Sequence, residues 1–285
     1  MGREMVRAFL KEGAKVVATD LSWVPTGVSN DDYDFLSEIQ DNPNALIGTM
    51  DITLQSHVDS MYRKTIEQFG TVDVIINNGG TRQRDLYLDT HGSVTVLETD
   101  VSEWEKMFGT HVFGNLRVIK RFVQPMIEKR SGSIINSSSS QLLNAHASGQ
   151  GEAVFYGLSR EGAYQPAKAA MGSMTIYIAK ELRQYNIAAN VMLPGHTATT
   201  GSDEQEMVRH EIRKRLGEET SNWIPRRVRA DNVVPLALYL AEQDGGGVTG
   251  RWISCMGFNE EQGLGGFEEW GHPADVEAAR AAGAL

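Results

Sequence analysis

Apolar residues along this chain fall into two alternating patterns: short β-branched runs of about five residues, and longer stretches in which they recur every three or four positions. The runs at 15–19, 45–49, 72–77, 133–137, 187–192 and 252–255 predict strands. The stretches at 3–12, 55–69, 102–128, 164–185, 204–216 and 232–241 predict helices. Val6, Phe9 and Leu10 share one face of the first helix, which Gly13 ends. Trp104, Phe108, Val112, Leu116, Ile119 and Val123 run along the 102–128 helix. Such alternation is the signature of a parallel sheet with crossover helices, an α/β fold.

Residues 81–100 and 144–162 read as loops, the second rich in Gly and small residues, and 259–285 as a Gly- and acid-rich tail. No internal repeat or linker divides the chain, so 1–258 is expected to be one domain with 259–285 appended. Phe267 and Trp270 in that tail are expected to pack over a substrate mouth or across a subunit contact, or else to belong to a loose end.

Composition narrows the class. At 285 residues and 41% hydrophobic, the chain can bury one large core without disulfide or metal staples. A formal charge of −10 disfavours a nucleic-acid or anionic-membrane partner, both of which reward clustered Lys and Arg. The one basic cluster, Arg226, Arg227 and Arg229 beside Asp231, reads as a solvated loop or an ion-pair site. Cys255 is the sole cysteine, which excludes an intramolecular disulfide and leaves a packing role. No apolar run approaches the roughly 18 residues that span a bilayer, and the N-terminus lacks a signal-peptide pattern, so a cytoplasmic location is expected. The seven histidines show no metal-ligand spacing, and no metal site is expected.

Tyr164 and Lys168 stand four apart at the start of a helix and share one face. At about 4.5 Å and an effective dielectric of about 20, one ammonium favours phenolate by roughly 4 kcal/mol, which suits a tyrosine to general acid/base work near neutral pH. Pro166 fits the first helical turn, where a fixed φ is tolerated. Upstream, the 133–137 strand delivers Ser137, Ser138 and Ser139 to its C-terminal edge, where open α/β sheets bind ligands. Downstream, Asn190 to Thr199 forms a strand ending in a Pro194-Gly195 turn with hydroxyls, and Asn77-Asn78-Gly79-Gly80 follows the third strand.

These four motifs, in this order, resemble the short-chain dehydrogenase/reductase family over about residues 2–250. The resemblance implies a doubly wound, Rossmann-like parallel sheet and an NAD(H)-dependent oxidoreductase that interconverts a secondary alcohol and a ketone. Tyr164 then matches the catalytic acid/base and Lys168 the residue that lowers its pKa and binds the nicotinamide ribose. Ser139 best matches the serine that holds the substrate oxygen, with Ser138 the alternative. His111, seven residues after Trp104, stands where the family usually has a proton-relay asparagine. An imidazole can also hold a proton; the other reading is a packed histidine, with Asn115 taking part instead.

For the cofactor, Asp20 matches the acidic position on the adenosine ribose, which favours NAD over NADP because a carboxylate repels a 2′-phosphate. Asp51 and Ile52 resemble the pair flanking the adenine, though Asp51 also reads as a helix cap. Asn77 and Gly79 resemble the segment packed on the cofactor, and Pro194, Gly195, Thr197 and Thr199 the turn that meets the nicotinamide amide and pyrophosphate. A small-molecule alcohol or ketone is the implied partner, and a homodimer or homotetramer built on the 104–128 and 164–185 helices the implied assembly. The candidate substrates span a sugar acid, a steroid or terpenoid alcohol, and a 3-oxoacyl thioester.

The family opens with a strand and a Thr-Gly-x-x-x-Gly-x-Gly turn, and Met1-Gly2-Arg3 aligns only with the end of that turn. Gly2 is thus the one glycine of the motif present. The expectation is a sheet lacking its first strand and glycine-rich turn, with the strands ending at Asp20 and Asn77 facing each other across a gap. The start is then an internal methionine of a longer product; otherwise another segment or subunit fills the gap, or the neighbours close up. The alternative function is a non-catalytic relative that binds a partner because its cofactor site is incomplete.

Overall fold

The computed structural model describes residues 1–23, 34–82, 86, 94–139, 162–198, 207, 210–211, 214–215, 217 and 226–285. Their strands are β1 (Val16–Asp20), β2 (Ala45–Thr49), β3 (Val74–Asn77), β4 (Gly132–Ser137), β5 (Ile187–Leu193) and β6 (Trp252–Ser254). These six strands pair only in parallel, and β4 and β5 are buried along their whole length, as strands covered on both faces must be.

Helices cover both faces. Ile134, Ile187 and Ala189 pack with α3 (Gln55–Phe69), α5 (Asn115–Phe122), α6 (Gln124–Lys129) and α7 (Tyr164–Leu182) through Val58, Met61, Ile119, Phe122, Met126 and Ile178. Ile135 and Met192, turned the other way by the period of two, pack with Met5 of α1 (Gly2–Lys11) and Leu236 and Leu240 of α8 (Val234–Ala241). This is the parallel sheet with crossover helices expected from the alternation, in the doubly wound form that the family resemblance implies. α3 begins and ends where its pattern places it. Gly70 takes the left-handed conformation at φ 79° and closes the last turn onto the Ile66 carbonyl.

The sheet is not continuous. Among the described residues β1 pairs only with β2, while β3, β4, β5 and β6 form a separate four-stranded sheet. Val17 and Leu46 of the first piece and Ile75 of the second join one apolar cluster, so side chains rather than ladder bonds connect the two. The parallel sheet is thus in two pieces, divided where the gap between the strands ending at Asp20 and Asn77 was expected.

Three further expectations change. The 102–128 helix is α4 (Val101–Phe108), a π-helical turn (Gly109–Gly114), α5 and α6. The last strand stops at Ser254, whose hydroxyl accepts the Gly257 amide at 3.2 Å and so starts α9 (Cys255–Glu261) at Cys255. Residues 259–285 are not a loose end: α10 (Phe267–Trp270) and α11 (Pro273–Ala281) fold back, burying Phe267, Val276 and Ala279 against Val228. Of the expected 204–216 helix only residues 207, 210, 211, 214 and 215 are described, all of them helical, and of the 144–162 loop only Gly162 is described.

Candidate active site

The C-terminal ends of the parallel strands gather the predicted residues on one edge. Tyr164 is the first residue of α7, and Lys168 lies one turn further in, only 4% exposed. The Lys168 Nζ donates to the Ser137 carbonyl at 2.8 Å and stands 5.6 Å from the centre of the Tyr164 ring. In return the Ser138 hydroxyl donates to the Lys168 carbonyl at 2.9 Å. The end of β4 and the start of α7 are thus tied twice, which fixes the ammonium beside the phenol. Burial lowers the Lys168 pKa to about 8. Ser138 is committed to the helix backbone, while Ser139 lies half-buried just beyond the strand.

His111 sits in the π-helical turn, a device that often re-aims a side chain at a functional site. Its ring meets Tyr164 edge-on, centroids 5.4 Å apart at 85°. Nε2 lies 2.8 Å from the Thr81 carbonyl, which can only accept, so Nε2 carries the proton and Nδ1 the lone pair. Nδ1 is buried with no hydrogen-bond partner among the described residues. Burial first, and then the Lys168 charge, lower the His111 pKa to about 3, the Thr81 carbonyl acting in the opposite sense. The imidazole is therefore neutral at physiological pH. Asn115, buried one turn on, donates to the His111 carbonyl at 2.8 Å, so it supports the turn that carries His111.

The expected cofactor residues divide. Asp20 lies exposed at the end of β1, its Oδ1 accepting the Leu21 amide at 2.7 Å. Gly79 is open: a Cβ there meets nothing within 4 Å. Gly2 opens α1 with Asn78 close by, a Cβ on it falling 3.1 Å from Asn78 Nδ2, and Asn78 Oδ1 is buried without a partner among the described residues. Pro194 is buried; the Thr197 hydroxyl donates to the Gly195 carbonyl at 3.0 Å and lies 3.5 Å from the Met1 sulfur, which brings the start of α1 beside this turn. Thr199 lies outside the described residues.

Three side chains are engaged elsewhere. Asn77 Nδ2 donates to Asn136 Oδ1 at 2.7 Å, and Asn136 Nδ2 to the Thr175 hydroxyl at 2.8 Å, a buried relay joining β3, β4 and α7. Ile52 packs on the core and against Gly114, where a Cβ would come 2.7 Å from its Cγ1. Asp51 accepts the Thr53 amide and hydroxyl at 2.8 and 2.7 Å; it shapes a turn, and the residue at the N-cap of α3 is Leu54. Sequence reasoning missed the Ser137 and Thr81 carbonyls, because a backbone acceptor has no residue signature. Gly80 was visible in its motif, but its packing under His111, where a Cβ would stand 2.1 Å from Cε1, was not.

Among the described residues no group of three or more His, Cys, Asp or Glu is placed to hold a metal, and no helix is long and apolar enough to cross a membrane. Cys255 is buried and its thiol pKa is pushed up by that burial.

A family profile described as Enoyl-(Acyl carrier protein) reductase matches residues 1–257. A fluoren-9-ol dehydrogenase of Terrabacter sp. (strain DBF63) is 34% identical over 283 residues, covering 97% of this chain and 74% of the relative. The 3-oxoacyl-[acyl-carrier-protein] reductase FabG of Thermotoga maritima is 27% identical, covering 90% and 92%. Among solved structures, levodione reductase superposes with a TM-score of 0.68 at 20% identity, covering 89% of this chain and 90% of that one. ElxO with NADP bound superposes at 0.65 and 22%, covering 89% and 92%. These two likenesses show the fold.

Proposed function

This chain belongs to the short-chain dehydrogenase/reductase family of oxidoreductases, and from that premise we propose that it interconverts a secondary alcohol and a ketone with NAD(H). The observation that carries the reading is the buried Lys168 ammonium, held by the Ser137 carbonyl beside Tyr164 at the mouth of the strands. The residues present suit a dinucleotide: Gly79 is open, Asn78 Oδ1 is buried without a partner among the described residues next to the start of α1, and Asp20 places an exposed carboxylate at the C-terminal end of its own strand. When bound, the nicotinamide supplies the hydride acceptor or donor for the carbinol carbon.

The chain's own residues handle the proton. The Tyr164 phenolate oxygen takes the hydroxyl proton of the alcohol, and the Lys168 ammonium stabilises the phenolate. Ser139 hydrogen-bonds the substrate oxygen. His111, neutral and with Nε2 tied to Thr81, offers only its Nδ1 lone pair, so its part in a relay is to accept a hydrogen bond rather than to store a charge. Asp20, Gly2, Gly79, Gly195 and Thr197 are the residues that would hold the dinucleotide. The Asp20 carboxylate favours NAD over NADP. An apolar cyclic secondary alcohol is the first substrate to try, because likeness to the fluorenol enzyme runs through the tail as well as the sheet.

We further read the assembly as a homodimer or homotetramer. Val101, Phe113 and Tyr177 on α4, the π-helical turn and α7 are 75, 53 and 67% exposed, an apolar outlay that suits a subunit contact. A non-catalytic binding role has one observation in its favour, the interrupted sheet.

The test is a fluorescence titration with NADH and NADPH, followed by turnover of Tyr164→Phe. Micromolar NADH binding, weaker NADPH binding and a loss of about 1,000-fold or more in turnover with NADH affinity kept are expected. Equal turnover in the variant overturns the role of Tyr164. Absence of binding by either nucleotide favours the non-catalytic reading.

A further inference from the structure

Beyond β5 the backbone builds a small three-stranded ladder from segments far apart in sequence. Val228 donates its amide to the His196 carbonyl and Ala198 its amide to the Val228 carbonyl, both at 2.8 Å. On the other side Arg229 donates to the Trp270 carbonyl and His272 to the Arg227 carbonyl, again at 2.8 Å. Thr197 runs parallel to Val228, and Val228 antiparallel to Gly271. The C-terminal segment therefore supplies the outer rung of the structure that carries Gly195 and Thr197.

Behind this rung lies a buried ion pair. Asp275 Oδ2 accepts both the Arg227 amide, at 2.9 Å, and the Arg227 Nε, at 2.8 Å, while Oδ1 accepts the guanidinium's Nη2. Arg227 is 6% exposed and Asp275 3%. A buried pair of this kind adds little net stability over an apolar packing of the same volume. What it supplies is geometry: one carboxylate grips the backbone and the side chain of the same residue. The Val228 side chain, one residue on, points into the pocket of Phe267, Val276 and Ala279, and a Cβ on Gly195 would lie 3.1 Å from its Cγ2. Gly271 leaves no room for a side chain, since a Cβ there would fall 2.4 Å from the Phe267 carbonyl oxygen.

We propose that residues 270–276 form a clasp on the turn after β5, with Asp275 a positioning residue that acts through Arg227 and Val228 on Gly195 and Thr197. The functional half of this rests on reading Gly195 and Thr197 as cofactor contacts. The tail is then part of the scaffold of the dinucleotide site.

Amide hydrogen exchange and NADH titration on the full chain test the clasp, in wild type, Asp275→Asn and Asp275→Glu. In Asp275→Asn the amides of Ala198, Val228, Arg229 and His272 should exchange at least about tenfold faster while those inside β4 and β5 keep their rates. The NADH Kd should weaken about fivefold or more; in turnover the cofactor KM should rise while kcat at saturation stays within about twofold, and Asp275→Glu should recover part of the loss. Should Asp275→Asn fail to fold, Val228→Ala gives the same two readouts with the ion pair intact. Unchanged exchange at those four amides overturns the clasp. Faster exchange with unaltered NADH affinity overturns its effect on the site. If wild type binds no NADH, the cofactor reading falls, and the exchange data alone decide the clasp.

Discussion

The His111 ring stands where a side chain on Gly80 would have to be: a Cβ there would lie 2.1 Å from Cε1 and 2.6 Å from Nδ1. Gly80 is thus required by proximity, not by a left-handed φ. Gly80→Ala must push the imidazole off the Thr81 carbonyl. An overpacking cost of about 1–3 kcal/mol is expected in urea unfolding, with turnover reduced at least about tenfold. Wild-type stability together with wild-type turnover would show that the ring does not occupy that space.

His111 also makes stability depend on acid. Its folded pKa is about 3 against an ordinary 6.5, so between these values the unfolded chain binds more protons and stability rises with pH. Lowering the pH from 6.5 therefore removes stability, on the order of 4–5 kcal/mol across the window. His111→Asn should flatten this part of a Tm-against-pH curve. Parallel curves for the two proteins would mean that the imidazole is not held neutral.

At alkaline pH Lys168 acts with the same sign. Its folded pKa of about 8 lies below the ordinary 10.5, so the cofactor-free protein should gain stability from about pH 8 to 10.5, by about 3 kcal/mol from this group. Lys168→Met, which leaves no charge to bury, should lose that gain. The comparison is again of Tm profiles, wild type against variant.

The buried relay from Asn77 through Asn136 to Thr175 invites a near-isosteric test. Thr175→Val strands the Asn136 amide that now donates to the hydroxyl. One such unsatisfied donor costs about 1–3 kcal/mol, seen as a lower urea midpoint at unchanged m-value. A neutral effect would mean that the Asn136 amide has found another acceptor.

Periodicity sufficed wherever one face of an element meets the core, as in α3 and α7, because burial and spacing are the same information there. It failed where backbone geometry decides. Nothing in the spacing from Trp104 to Val123 announces the π-helical turn, since one extra residue in a turn leaves the apolar stripe almost in place. The Ser254 cap was readable as a serine three residues before Gly257, yet the apolar run through Cys255 outweighed it. The approach of Lys168 to Tyr164 was legible because it depends on local spacing along one helix. Arg227 and Asp275, 48 residues apart, were not, because only the folded tail brings them together.

The break between β1 and β3 has a consequence for how the molecule comes apart. The β1–β2 ribbon carries a small core of its own, with Ala18, Phe35 and Ile39 under Trp23, and shares no ladder bond with the larger sheet among the described residues. Subglobal opening of this ribbon should therefore precede global unfolding as denaturant rises, leaving β4 and β5 protected. A dinucleotide reaching from Asp20 to Tyr164 would act as a strut between two units that the backbone leaves separate. Its binding energy would appear first as a slower opening of the ribbon, before any change in the main transition.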